Sequence, residues 1–274
     1  MLRRFGVRVY SHISNMRKEV SSTETSVGTL ARGLDILGLF SRDLPELTQT
    51  EISARLGLPL PTVHRLTAVL AERGYLDRDP RTRRFRLGLE IARFLPPLLS
   101  GLRLPEVARG HVAQLAADTG ETVNLALLQD DEIVYLLSES GDHLLSAQTP
   151  VGMRLPAHCT ALGKCLLAQL PEETARDMLG GEPWEGRTPA TATTWAALEP
   201  MLARIRRDGV AQSWEEYEIG LASIAVPVNW LGDSAALNVS LPTTRATRAF
   251  RLELVGRLRD AAARIEASLA ARGR

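Results

Sequence analysis

Cysteine and lysine are nearly missing from this chain. Only Cys159 and Cys165 occur in 274 residues, which excludes a disulfide framework and fits a reducing compartment. The N-terminus has no continuous apolar signal core. The most apolar stretch, Ile91 to Leu102, is too short to cross a bilayer and is broken by Arg93, Pro96 and Pro97. A cytoplasmic protein without a membrane partner is expected. Lys18 and Lys164 are the only lysines, so nearly every cation is an arginine. A GC-rich genome produces the same bias, and residue type by itself decides little. Enzyme signatures are missing too: the chain has no G-x-S-x-G elbow, no H-E-x-x-H and no C-x-x-C. Gly163-Lys164 is not a phosphate loop, because His158 stands where its first glycine would be. His158 has no second ligand at a chelating spacing and reads as a structural hydrogen-bonding residue, so neither a metal nor a cofactor is expected.

What is present is an ordinary globular composition, 45% hydrophobic and 24% charged, in a chain long enough for two domains with separate cores. The net charge of +1 conceals a division. Residues 1–94 carry 16 Lys+Arg against 10 Asp+Glu, or +6, and residues 95–274 carry 17 against 22, or −5. A basic N-terminal third joined to an acidic remainder suits a polyanion-binding module attached to something else, although such a split also arises by chance.

Residues 1–25 lack a clear amphipathic period and read as a flexible tail, with Met16 an alternative start. From Ser26, Leu30, Leu34 and Leu37 recur at helical spacing. Thr48 followed by Glu51 is a capping box for a second helix that ends at Gly57. After the tight link Gly57-Leu58-Pro59-Leu60, Pro61 opens a third helix, with Val63, Leu66 and Leu70 on an inward stripe. Thr67 joins that stripe, its hydroxyl satisfied by the carbonyl of Val63. Tyr75–Arg78 and Arg84–Leu87 then read as strands around Asp79-Pro80-Arg81-Thr82.

Three helices and a hairpin form the layout of a winged helix-turn-helix, assigned to residues 26–88. Thr62, His64 and Arg65 then face outward at the start of the third helix, where a recognition helix meets the major groove. The hairpin adds Arg78, Arg81, Arg83, Arg84 and Arg86, a cluster suited to phosphates or a narrow minor groove. The bland alternative is a solvated basic hairpin on an ordinary helical domain.

Residues 89–103 read as a linker helix that breaks at its prolines and restarts, and residues 104–274 as an α+β domain with an antiparallel sheet. Helices are expected near 104–118, 160–170, 171–179, 196–207 and 245–271. Strands are expected near 123–127, 133–137, 221–228 and 235–241, with a weaker candidate at 144–149. Cys159 and Cys165 lie roughly 240° apart on a helix, so they neither chelate together nor pair easily. A thiol reductase or redox sensor is one reading of them, and buried inert thiols the other. The loop entering the helix at Cys159-Thr160-Ala161-Leu162-Gly163 offers backbone N–H groups to a carboxylate. Ser223, Asn238 and Ser240 add neutral polar groups, with Leu144, Ala147 and Leu155 as apolar walls. The same residues also suit a plain core and cap.

The segments LTQTEISARLGLPLPTVHRL, GYLDRDPRTRRFRLG, TGETVNLALL, VGMRLPAHCTALGKCLLAQLP and EEYEIGLASIAVPV resemble the isocitrate-lyase-regulator (IclR) family of bacterial transcription factors, from about Ser26 to Ile265. The resemblance implies a GAF-like effector-binding domain, a homodimer or dimer of dimers on a partly palindromic double-stranded operator, and control of a catabolic operon, often as a repressor, by a small metabolite such as an organic or aromatic acid. It places Thr62, His64 and Arg65 at DNA with support from Arg83 and Arg84. It places Ala161, Leu162, Ser213, Ser223, Asn238 and Ser240 at the effector. Leu60 and Pro61 stand where many relatives have a basic residue and serine, which implies a different operator preference. Ser213 and Ser223 stand where relatives often have aspartate and cysteine, so the pocket is neutral, and Trp214 beside it is expected to narrow it. Two other readings remain: a thiol-dependent reductase using Cys159 or Cys165, and a DNA-holding adaptor whose pocket is filled by side chains.

Overall fold

The computed structural model describes residues 28–41, 44–97, 103–143, 146–147, 149–230 and 233–272. The tail read over residues 1–25, the end of the linker and Leu144 lie outside them. Chain contacts divide the molecule into two compact units, one ending at residue 102 and the other beginning at Arg103.

In the first unit, α1 (Thr29–Gly38), α2 (Gln49–Leu56) and α3 (Leu60–Glu72) precede a two-stranded antiparallel hairpin, β1 (Leu76–Arg78) and β2 (Phe85–Leu87). The capping box forms as the spacing predicts. Thr48 accepts from the Glu51 amide at 3.2 Å, and the Glu51 carboxylate accepts from the Thr48 amide at 2.7 Å. Gly57 ends α2 at φ +64°, a left-handed conformation that a side chain resists. Ile36, Leu47, Ile52, Val63, Leu66, Leu76 and Phe85 close the core, and Leu47 also bridges to Phe85 in the hairpin. Leu30 and Leu34 share the helical spacing but are exposed, at 77% and 59%. Gly88 is required where it stands, since a Cβ there would lie 2.0 Å from the carbonyl oxygen of Gly74. Beyond it, Leu89–Phe94 form a 3-10 helix where a linker helix is expected.

The second unit is built on a six-stranded antiparallel sheet of order β5-β4-β3-β8-β7-β6. Its strands are β3 (Thr122–Gln129), β4 (Glu132–Glu139), β5 (Arg154–Pro156), β6 (Ala211–Trp214), β7 (Leu221–Trp230) and β8 (Asp233–Pro242). Helices α4 (Leu104–Thr119) and α8 (Arg248–Arg272) pack on one face and α5 (Ala161–Leu167) on the other, with α6 (Glu172–Leu179) and α7 (Trp195–Asp208) outside it. Both faces are therefore covered. Thr122 through Ala126 are all buried, where alternation suggests a single buried face. The α5 face is lined by small residues, Ala126, Ala211, Ala225 and Ala236, so the helix comes close. A Cβ on Gly163 would lie 2.3 Å from the Ala157 Cα, which explains glycine in this tight approach to the 3-10 turn Ala157–Cys159.

Strands β5 and β6 are too short to signal themselves by periodicity, and residues 146, 147 and 149 are not in a strand, against the expectation for 144–149. The Glu121 carboxylate, 1% exposed, takes two bonds of 2.6 Å from Arg245 and ties the start of β3 to the turn after β8.

Candidate DNA-binding and effector sites

Helix α3 sorts its residues by face. Val63, Leu66 and Thr67 are buried, whereas His64 and Arg65 are exposed and Thr62 is half-buried. The Thr67 hydroxyl donates to the Val63 carbonyl at 2.8 Å and accepts from the Gln49 side-chain Nε2 at 2.8 Å, locking α3 against α2. At the hairpin tip, the Asp79 carboxylate accepts from the amides of Arg81 and Thr82 at 2.7 and 3.0 Å, and Arg83 takes φ +59°. These bonds hold the Asp79 carboxyl below its ordinary range.

The arginines differ in how far they are committed. Arg81 and Arg83 are exposed, and neither has a side-chain partner among the described residues. Arg84 forks onto Glu51 at 3.2 and 3.4 Å and also donates to the Glu46 carbonyl, so it braces the hairpin against α2. Arg86 pairs with Asp77, and Arg78 lies over the Phe85 ring at 5.5 Å. Spacing alone does not separate these roles.

In the second unit, Ala161, Ser213, Ser223, Asn238 and Ser240 line one cavity on the α5 face of the sheet, with Leu155 as an apolar wall. Asn238 sits at the centre. Its amide donates to Ser223 at 2.6 Å and Ser240 at 3.0 Å, and its oxygen accepts from Asn124 at 2.9 Å. Thr122 Oγ1 and Asn124 Oδ1, adjacent in register on the same face, are buried without a hydrogen-bond partner among the described residues. Leu162 is fully buried in the core behind this wall, and Ala147 is half-buried and not among the lining residues. Trp214 does not narrow the cavity. Strand alternation turns it to the opposite face, where it is 42% exposed under the Arg251 guanidinium at 5.1 Å.

Three lining residues escape sequence reasoning: Tyr135, Tyr217 and Leu221. Thr160, read from the sequence as part of the loop entering the helix, is the N-cap of α5 and accepts from the Gly163 amide at 3.1 Å. Tyr217 lies in an irregular loop with no period to read. Arg187 covers its ring at 5.0 Å, and Thr188 and Thr191 hold the Glu215 and Glu216 carbonyls at 2.5 and 2.6 Å. The free space is small, about 30 Å³, roughly what one water needs, so a larger ligand requires these walls to part.

Lys164 and Glu216 form a buried ion pair, the ammonium bonding both carboxylate oxygens at 2.5 Å. A lysine inside an otherwise apolar helix was the available sequence signal. Burial pushes the Cys159 and Cys165 thiols up to about 12, so both stay protonated and poorly nucleophilic near neutrality. His158 bonds the Glu185 carbonyl at 3.1 Å and packs on Trp184, and burial lowers its pKa. The described residues contain no cluster suited to a metal ion and no helix long and apolar enough to cross a membrane.

The family model for the IclR helix-turn-helix domain matches residues 29–80, and that for the bacterial transcriptional regulator IclR C-terminal domain matches residues 97–267. The transcriptional regulator XynR of Escherichia coli is 36% identical over 80% of this chain and 88% of its own length. The p-hydroxybenzoate hydroxylase transcriptional activator of Acinetobacter baylyi is 32% identical over 85% of this chain and 88% of its own. Among solved structures, an IclR homolog from Microbacterium hydrocarbonoxydans complexed with 4-hydroxybenzoate superposes with a TM-score of 0.74 at 32% identity, covering 89% of this chain and 100% of that one. A basic helix-turn-helix with a hairpin wing, followed by a sheet domain with a polar cavity, and both family models in order along one chain, make this protein a member of the IclR family of transcriptional regulators.

Proposed function

We propose that this regulator is a cytoplasmic homodimer or dimer of dimers, without enzymatic activity, that represses a catabolic operon and responds to a small organic acid at the sheet cavity. The observation that carries the DNA reading is the division of α3, with Val63, Leu66 and Thr67 inside and His64 and Arg65 outside, beside an arginine-bearing hairpin. Arg65 has the geometry to fork onto guanine, and Arg81 and Arg83 carry uncommitted charge toward phosphate. Arg84, tied to Glu51, supports the wing instead of reaching DNA directly. The exposed Leu30, Leu34, Leu89 and Phe94 favour self-association of the first unit.

The tyrosines and neutral amide and hydroxyl groups of the cavity suit a ring with polar substituents. A relative's complex with an aromatic acid agrees with this. The small free volume of the cavity favours a second reading, a DNA-holding adaptor whose pocket is filled by its own side chains. Purified protein titrated with its upstream intergenic DNA at two salt concentrations, with and without a panel of carboxylic and aromatic acids, separates the two. Specific, salt-sensitive binding altered by one acid is the expected result. Specific binding that no acid alters leaves the adaptor, and binding without sequence preference overturns the proposal. A promoter fusion reads the sign: reporter output that falls on deletion of the regulator makes it an activator.

A further inference from the structure

The second unit holds a cavity larger than the polar one. On the far side of β6 a second cavity of about 370 Å³ opens between α7 and α8, within the range of small-ligand sites. Its floor is the Lys164–Glu216 pair, and its walls are Met201, Ile205, Val210 and Val255. Two exposed arginines, Arg204 and Arg259, stand at its rim with Asp208.

The polar groups are unequally spent. Lys164 uses two bonds on Glu216, and its remaining contact is the weak acceptor Met201 Sδ at 4.0 Å. Arg204 gives one long bond of 3.4 Å to the Asp208 carboxylate, and Arg259 one bond of 2.8 Å to the Asp208 carbonyl. Each guanidinium has five N–H donors, so both keep spare capacity. The rim therefore carries two cations against one anion. The floor is neutral overall, with one donor to give and carboxylate lone pairs to receive.

We propose that this cavity is a second ligand site, specific for a small hydroxycarboxylic acid. The carboxylate meets Arg204 and Arg259, a short apolar body lies on Met201 and Ile205, and the far hydroxyl accepts from Lys164 and donates to Glu216. The site adjoins the polar cavity through one segment. Gln212 and Glu216 face the second cavity, and Ser213 and Tyr217 the first. A ligand bonded to Glu216 thus bears on the loop that positions Tyr217, which makes this a modulating site for the first.

Met201 supplies an internal probe. The full-length protein labelled with ¹³C-methyl methionine, its Met201 resonance assigned with Met201→Leu, is titrated with 4-hydroxybutyrate. Controls are 1,4-butanediol and sodium chloride at matched ionic strength. The Met201 methyl is expected to shift saturably with the acid alone, and Arg204→Gln/Arg259→Gln to weaken that binding by about tenfold or more, because both charge-assisted bonds to the carboxylate are lost. No saturable shift, an equal shift with the diol, or undiminished binding in the arginine variant each overturns the proposal.

Discussion

Single side chains in this protein are decided by what they must balance. Lys164 and Glu216 are 1% and 7% exposed, and each is tolerable inside only because the other is there. Lys164→Met should cost about 3–5 kcal/mol in chemical denaturation by stranding the carboxylate, whereas Lys164→Met/Glu216→Leu should recover most of that loss. His158 is held neutral, its pKa lowered from 6.5 chiefly by burial. The unfolded chain binds that proton first, so this contribution is complete above pH 6.5 and declines as pH falls toward the folded value. Thermal melts between pH 7 and 5 should therefore show a slope that His158→Gln reduces; an unchanged slope would assign it to other groups. Arg65→Ala should weaken operator binding by about 1–3 kcal/mol and relax preference at one base position, measured by competition against substituted operators.

Whole elements show where local sequence signals suffice. Helix α2 announces itself through Thr48, Glu51 and Gly57, because capping bonds and a left-handed glycine are made within a few residues of one another. Thr48→Ala should cost about 1 kcal/mol in a denaturant titration of the protein. Thr67 was legible for the same reason, its acceptor lying one turn away. The wing was legible as a hairpin but not in its division of labour. Whether an arginine there reaches outward or folds back depends on Glu51 and Asp77, and the Arg84 partner lies 33 residues away. Strands β5 and β6, three and four residues long, are held by neighbours in the sheet, and no periodicity develops over so few positions.

At the scale of the molecule, residues 16–102 of the first unit carry 13 Lys+Arg against 10 Asp+Glu, and residues 103–274 of the second carry 17 against 22, so the charge divides between a basic and an acidic unit. Binding through the basic unit releases counterions from DNA, so affinity should fall steeply with salt. Arg83→Ala should reduce the slope of log K against log salt by about 1 while leaving sequence preference intact. Arg84→Ala should act differently, loosening the hairpin against α2 and lowering thermal stability along with affinity. Equal salt slopes for the two variants would contradict that distinction.

The family, the two-part organisation, the helix-turn-helix and four polar residues of the first cavity, Ser213, Ser223, Asn238 and Ser240, were legible in the sequence alone. Caps, inward stripes, outward cations and motif order are relations between residues near in the chain or repeated along it. The tertiary structure decided the rest: Arg84 turned inward, Trp214 turned away from the cavity, Tyr135 and Tyr217 brought to its wall, and Lys164 matched to Glu216. Each of these depends on which of two faces a side chain takes and on what distant segment packs there, and long-range burial, not local spacing, sets that choice.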